Sequence, residues 1–176
     1  MNEPRDAVTI AQVATPAQVA TARELLEEYT AWAFSLDPAS DAAPTFHGLQ
    51  SELATLPGVY APPAGRLLLA TYDGKPAGCI ALKPHDATEG ELKRVYVRPG
   101  LRGLSIGRRL LDAVLAEARS IGYRRLVLDS YYTMTNAHAL YEAAGFRRVP
   151  APDDFPEAMK PKAVFMEMEL RPSAAR

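Results

Sequence analysis

Three arginines and two glycines crowd one short stretch, Arg102-Gly103-Leu104-Ser105-Ile106-Gly107-Arg108-Arg109, between an extended segment and a helical one. A helix start leaves its first backbone amides unpaired and carries partial positive charge, so a glycine-containing loop feeding it can cradle phosphate. Arg102, Arg108 and Arg109 add full positive charge there, and the planar guanidinium fork suits phosphate oxygens. Glycine turns between strand and helix also occur for packing alone, so these residues by themselves leave both readings open. No Gly-Lys-Ser/Thr follows, which excludes a Walker loop, and the three-glycine spacing of a dinucleotide fingerprint is absent. Cys79 is the only cysteine; it excludes an internal disulfide and, set in the apolar run 77–82, reads as a buried structural thiol rather than a nucleophile. His47 reads as a solvated or capping histidine.

The elements around this loop follow from pattern. Val95, Tyr96 and Val97 favour a strand from Leu92 to Val97, ended by Pro99-Gly100. Ile106, Leu110, Val114 and Leu115 share one face of a helix that closes at Gly122. Residues 123–130 read as the next strand, and a crossover through a helix requires the two strands to be parallel with a right-handed connection. Upstream, a first strand over 7–13 leads to a helix with Thr15 as N-cap, Pro16 at the first position and Gln18 in the capping-box place. That helix runs through Ala22, Leu26, Tyr29, Ala33 and Leu36 to Asp37-Pro38. A shorter helix over 46–56 and a Pro-rich stretch to Pro63 follow, a length typical either of lids and substrate loops or of a surface segment that merely packs. Arg66–Tyr72 and Ala77–Leu82 flank Asp73-Gly74, a hairpin signal. Thr135 can cap a helix over 136–144 ended by Gly145, Phe146–Val149 returns as a strand, and after a Pro-rich loop the alternation of Val164, Met166, Met168 and Leu170 gives a last strand. The fold class is therefore α/β (α+β): a mixed, mostly antiparallel sheet of about seven strands with flanking helices, expected as a single domain over 1–176.

A chain of 176 residues is long enough for a full core. Hydrophobic residues at 48% and charged residues at 23% exclude disordered and fibrous classes. A formal net charge of -1 argues against a general nucleic-acid binder. There is no apolar leader at the N-terminus and no run of membrane-spanning length, so a soluble cytoplasmic protein without a membrane partner is expected.

Two segments together resemble the GNAT superfamily of acyl-CoA N-acyltransferases. The run Leu92 to Gly107 is similar to that family's pyrophosphate-binding motif, and Asn136-Ala-His-Ala-Leu-Tyr-Glu-Ala-Ala-Gly-Phe146 is similar to its Asn-to-Leu-Tyr-to-Gly-Phe helix. The strand order also fits that fold over nearly the whole chain. One position departs: the family's first glycine of the pair is Ser105. A left-handed backbone there would cost serine about 1 to 2 kcal/mol; the reading favoured from sequence is instead that Ser105 caps the helix or gives its hydroxyl to a phosphate.

The resemblance implies acetyl-CoA as co-substrate and no metal, with the pyrophosphate on the amides of Leu104, Ser105, Ile106, Gly107 and Arg108 beside Arg102 and Gly103. It implies that the pantetheine arm lies along the strand at Tyr96 and Val97, that Asn136 contacts the cofactor, and that Tyr141 is the acid for the departing thiolate. Glu91, at the entry of the central strand, is the expected base, through water, with its pKa lifted by partial burial. Glu89 is the substitute and His138, read as exposed on its helix, a weaker candidate; Tyr60, Tyr131 and Tyr132 are candidate walls for the acceptor. The expected function is N-acetyl transfer to a primary amine on a small molecule or peptide, the alternative an acyl-CoA sensor without turnover. A homodimer through the last strand or the Pro-rich loops is compatible with the pattern.

Overall fold

The computed structural model describes residues 7–36 and 48–170. Seven strands form one sheet: β1 (Val8–Gln12), β2 (Arg66–Tyr72), β3 (Lys75–Pro84), β4 (Glu89–Val97), β5 (Arg125–Tyr131), β6 (Arg147–Val149) and β7 (Ala163–Glu169), in the order β1-β2-β3-β4-β5-β7-β6. Every neighbouring pair is antiparallel except β4 and β5. Among the described residues, four α-helices flank it: α1 (Pro16–Leu36), α2 (Leu49–Ala54), α3 (Ile106–Ile121) and α4 (Thr135–Ala144). The mixed sheet of seven strands expected from the sequence is the sheet observed, and no helix among the described residues is long and apolar enough to cross a membrane.

Local chemistry accounts for the boundaries. Gln18 N donates to Thr15 Oγ1 at 3.2 Å while Thr15 N donates to Gln18 Oε1 at 3.0 Å, a reciprocal capping box that starts α1. Tyr72 pairs with Lys75 across a two-residue turn in which Asp73 and Gly74 both take positive φ, the mirror-image turn whose twist matches a hairpin. Gly122, with φ of 101°, closes α3. Two expectations shift. The second helix, expected over 46–56, spans Leu49–Ala54 among the described residues; Phe46 and His47 lie outside them, as does Asp37. Thr135 is the first helical residue of α4, not its cap; Met134 precedes it and no side chain caps that end.

The sheet separates two apolar layers. Beneath α3 and α4 pack Leu68, Ile80, Leu82, Leu92, Leu126, Leu128 and Met166. Beneath α1 and α2 pack Leu67, Leu69, Cys79, Ala81, Tyr96 and Tyr131. Cys79 is buried as expected, and burial pushes its thiol up to about 12.

Two irregularities of β4 interrupt the regular sheet. Its pairing to β3 jumps from Cys79↔Tyr96 to Ala81↔Lys93, so β4 carries one extra residue, and Arg94 takes a φ of 58° in this bulge. On the other edge, pairing with β5 covers only Glu89↔Arg125, Gly90↔Leu126 and Glu91↔Val127. The two strands part after that point.

The bulge sends the Arg94 side chain into the α1/α2 layer, where it is 7% exposed and donates through Nε and Nη2 to both oxygens of Glu52, each at 2.9 Å. Tyr60 donates to the same carboxylate at 2.9 Å. Burial raises the Glu52 pKa, but Arg94 outweighs it and the carboxyl lies below its usual range. Removing one member of such a pair strands the other. Glu52→Ala should therefore lose about 3 kcal/mol and melt roughly 6 to 12 °C lower in a thermal scan at neutral pH. Because the folded carboxyl is held low, the wild type keeps this contribution above the ordinary carboxylate pKa and loses it as pH falls through the lowered value. The deficit of the variant should thus shrink below about pH 4.

Candidate active site

The parting of β4 and β5 opens a cleft in the middle of the sheet, and three cavities run through it. The largest, about 620 Å³, is walled by Val95, Tyr96 and Val97 of β4, the turn from Leu101 to Gly103, the first turn of α3 and the start of α4, with Trp32 and Leu36 of α1 closing one side. A narrow one of about 50 Å³ lies at the parting itself, between Leu92–Val95, Asp129–Tyr131 and Tyr141. The third, about 290 Å³, opens beyond it between Glu91, Val127–Asp129, the loop at Val149, Pro150 and Pro152, and Phe165–Glu167.

Arg109 N donates to Ser105 O at 3.0 Å, the first bond of the α3 ladder, so the amides of Ile106, Gly107 and Arg108 precede any intrahelical acceptor and face the large cavity. Such an end suits an anionic diphosphate. A Cβ on Gly107 would sit 3.5 Å from Leu140 and 3.7 Å from Val97, ordinary contact within the protein; the fold does not demand glycine there, whereas a group lying on the α3 amides would. Along β4, the stretch 92–97 has no strand partner on its β5 side, an edge that an amide-bearing arm can complete as an added strand.

Of the residues singled out from sequence, Tyr96, Val97, Arg102, Gly103, Ser105, Ile106, Gly107, Arg108 and Asn136 all line this cavity. Leu104 does not; it is 41% exposed beside it. Arg109 also turns away, donating through Nη2 to Val8 O at 3.0 Å. The Arg102 guanidinium stacks 4.6 Å from the Trp32 ring centroid while its Nε donates to Val97 O at 3.1 Å. Arg108 pairs with Asp112 at 2.9 Å on the exposed face. Ser105 corrects the capping half of the favoured reading: its φ of 59° is left-handed and its side chain makes no capping bond.

Tyr141, 6% exposed and packed on Phe146 with ring centroids 5.8 Å apart, forms the α4 side of the narrow cavity. Burial, reinforced by Tyr29 and Asp129, pushes its phenol far above the usual tyrosine range. Glu91 lines the outer cavity, and its expected upward shift is not found. Burial does raise it, but Lys93 at 3.0 Å and Lys83 at 3.3 Å outweigh that and hold the carboxyl below its usual range, with His85 3.9 Å away. Glu89 is paired with Arg125 and lines none of the three cavities.

His138, expected to be exposed, is 2% exposed, with Nε2 3.1 Å from Ser130 Oγ; burial and Arg148 depress its pKa against the opposing influence of the Tyr131 carbonyl and Glu142. Of the candidate acceptor walls, Tyr131 lines the narrow cavity, Tyr132 is 45% exposed, and Tyr60 is buried with its hydroxyl committed to Glu52.

Sequence reasoning missed Trp32 and Asp129. Trp32 falls just off the buried stripe of α1, and its being the only tryptophan was the available signal. Asp129 is the acid of β5, half-buried on the face it shares with Arg125 and Val127 rather than with the buried Leu126 and Leu128.

An open cleft between parallel strands, a helix start at its mouth and a buried tyrosine at its floor are features that an acyl-CoA transferase could use. Residues 22–146 match the model of the Acetyltransferase (GNAT) family, and the chain belongs to that family. It is 36% identical to the IAA acetyltransferase of Azospirillum brasilense over 93% of this chain and 98% of that protein. It is 31% identical to an uncharacterized N-acetyltransferase of Schizosaccharomyces pombe over 93% of this chain and 95% of that one. The PaiA N-acetyltransferase of Thermoplasma acidophilum, solved in complex with coenzyme A, superposes with a TM-score of 0.73 at 18% identity, covering 92% of this chain and 98% of that one, a likeness of fold. The protein is accordingly an acetyl-CoA-dependent acyltransferase.

The left-handed Ser105 generates a stability test. Ser105→Gly should gain about 1 kcal/mol by relieving the Cβ clash and raise the melting temperature by roughly 2 to 4 °C. A capping serine would give the opposite sign.

Proposed function

We propose that this protein is an N-acetyltransferase that moves an acetyl group from acetyl-CoA to a primary amine by direct attack in a ternary complex. The observation that carries the reading is the loss of β4–β5 pairing after Glu91↔Val127, with the α3 amides at one end of the opening and Tyr141 at its floor. Acetyl-CoA supplies an activated thioester. The α3 start receives its diphosphate, and the unpaired edge at Tyr96 and Val97 aligns its arm toward the narrow cavity between β4 and β5. There the neutral amine nitrogen attacks the thioester carbonyl carbon, and a backbone amide between Val95 and Val97 stabilises the oxyanion that forms. The C–S bond then breaks with its electron pair on sulfur, and Tyr141 gives its hydroxyl proton to that thiolate. Although burial makes the phenol a weak acid, the same dry site raises the proton affinity of the thiolate, so the transfer stays matched. The proton released by the amine passes through water to Glu91 at the outer cavity.

At a hundredfold excess over its dissociation constant, acetyl-CoA should stabilise the fold by about 2.7 kcal/mol, a rise of roughly 5 to 10 °C in a thermal scan. Tyr141→Phe should keep that rise while losing about a hundredfold in amine-dependent thiol release. No rise at millimolar acetyl-CoA overturns the reading.

A further inference from the structure

The outer cavity has a composition that selects among amines. Its lining holds three carboxylates, Glu91, Asp129 and Glu167, and one basic group, His85, whose side chain is 51% exposed. The remainder is apolar: Val127 and Leu128 from β5, Val149, Pro150 and Pro152 from the loop, Phe165 and Met166 from β7. Phe155 holds this wall by packing edge-on against Phe165, with ring centroids 4.8 Å apart.

The three carboxylates are not equivalent. Glu91 is surrounded by Lys93, Lys83 and His85. Glu167 is paired with Arg147 and Arg125. Asp129 accepts no hydrogen bond among the described residues, and its one ion-pair neighbour, Lys93 Nζ, stands 3.8 Å away, closer to Glu91 than to it. Asp129 is also the acid that belongs to two cavities, lining both the narrow one beside Tyr141 and the outer one. An amine entering from the outer cavity must pass this carboxylate to reach the thioester position.

Resting on the acetyltransferase reading above, we propose that Asp129 receives the acceptor amine, and that the acceptor is a compact primary amine with an apolar body and no carboxylate. The size follows from the cavity, whose 290 Å³ stands at the foot of the range of about 300 to 1,000 Å³ for small-molecule pockets. The charge follows from the pairing: an acceptor carboxylate would enter among three acids, while the nearby lysines and arginines are engaged with Glu91 and Glu167. The amine arrives as an ammonium and is held by Asp129; it loses one proton to water before attack. In the tetrahedral adduct Asp129 takes the second N–H proton as the C–S bond breaks toward sulfur, and passes it through water toward Glu91.

The test uses the intact protein, acetyl-CoA and a pair of probes differing by one carboxylate, 2-phenylethylamine and phenylalanine, with spermidine and a short unblocked peptide as further arms. Thiol release should favour phenylethylamine over phenylalanine by about a hundredfold in kcat/KM. Asp129→Asn should lower the phenylethylamine rate by about a hundredfold, with the acetyl-CoA melting shift intact. Formate should restore part of the rate to Asp129→Ala, which a packing defect would not allow. Equal or better use of phenylalanine, turnover of spermidine or the peptide alone, turnover of none of the probes, or wild-type rates in Asp129→Asn would each overturn the proposal. Absence of the melting shift in the wild type would overturn the underlying reading, and this one with it.

Discussion

Parallel strands ordinarily continue pairing as long as both remain extended, because each unpaired amide and carbonyl in a sheet interior lacks a partner. Here β4 runs six residues past its last partner on β5, and β5 runs four past its own. The bulge at Arg94 rotates β4 away at this point, and its left-handed φ is held by the side chain's two bonds to Glu52. The open cleft is therefore tied to a buried ion pair on the far side of the strand. That arrangement places backbone donors and acceptors in the centre of the protein and leaves them available to a ligand rather than to a strand.

The electrostatics divide along the cleft. Toward α3 the groups are helix amides and guanidinium ions, some held in place by stacking, as Arg102 is on Trp32. Arg98 extends this order by gripping Glu28 of α1 with Nε and Nη2 at 3.0 and 2.7 Å, which fixes α1 over the end of β4. Toward the outer cavity the groups are carboxylates, two of them neutralised by cations. An anionic ligand thus has one favourable end and a cationic one the other, so the two substrates of a transfer reaction would meet in the middle from opposite sides.

Much of this was legible in the residues. The sheet, the hairpin at Asp73-Gly74, the capping box at Thr15 and the crossover through α3 all follow from local pattern, because period and turn chemistry act over a few residues. The lining of the large cavity was legible too, through the loop after β4. The electrostatics of Glu91 were not. Its neighbours Lys83 and Lys93 come from two strands, and burial alone predicts the wrong direction for its pKa. His138 escaped for a similar reason: α4 buries it against Ser130, a contact eight residues away that helical periodicity does not rank. Ser105 was read by the capping habits of serine, while the turn geometry, set by where α3 must begin relative to β4, imposed a left-handed backbone.

The alternation of β4 and β5 also decides which side chains share a face. Leu92, Leu126 and Leu128 belong to the α3/α4 layer, as does Tyr141, so Glu91 and Asp129, one residue away, project toward the opposite layer. Tyr141 and these carboxylates thus approach the parted strands from opposite faces of one sheet. In a continuous sheet no small molecule could contact both faces at once. The parting after Glu91 makes it possible, and it lets Tyr141 and Asp129 line one narrow cavity.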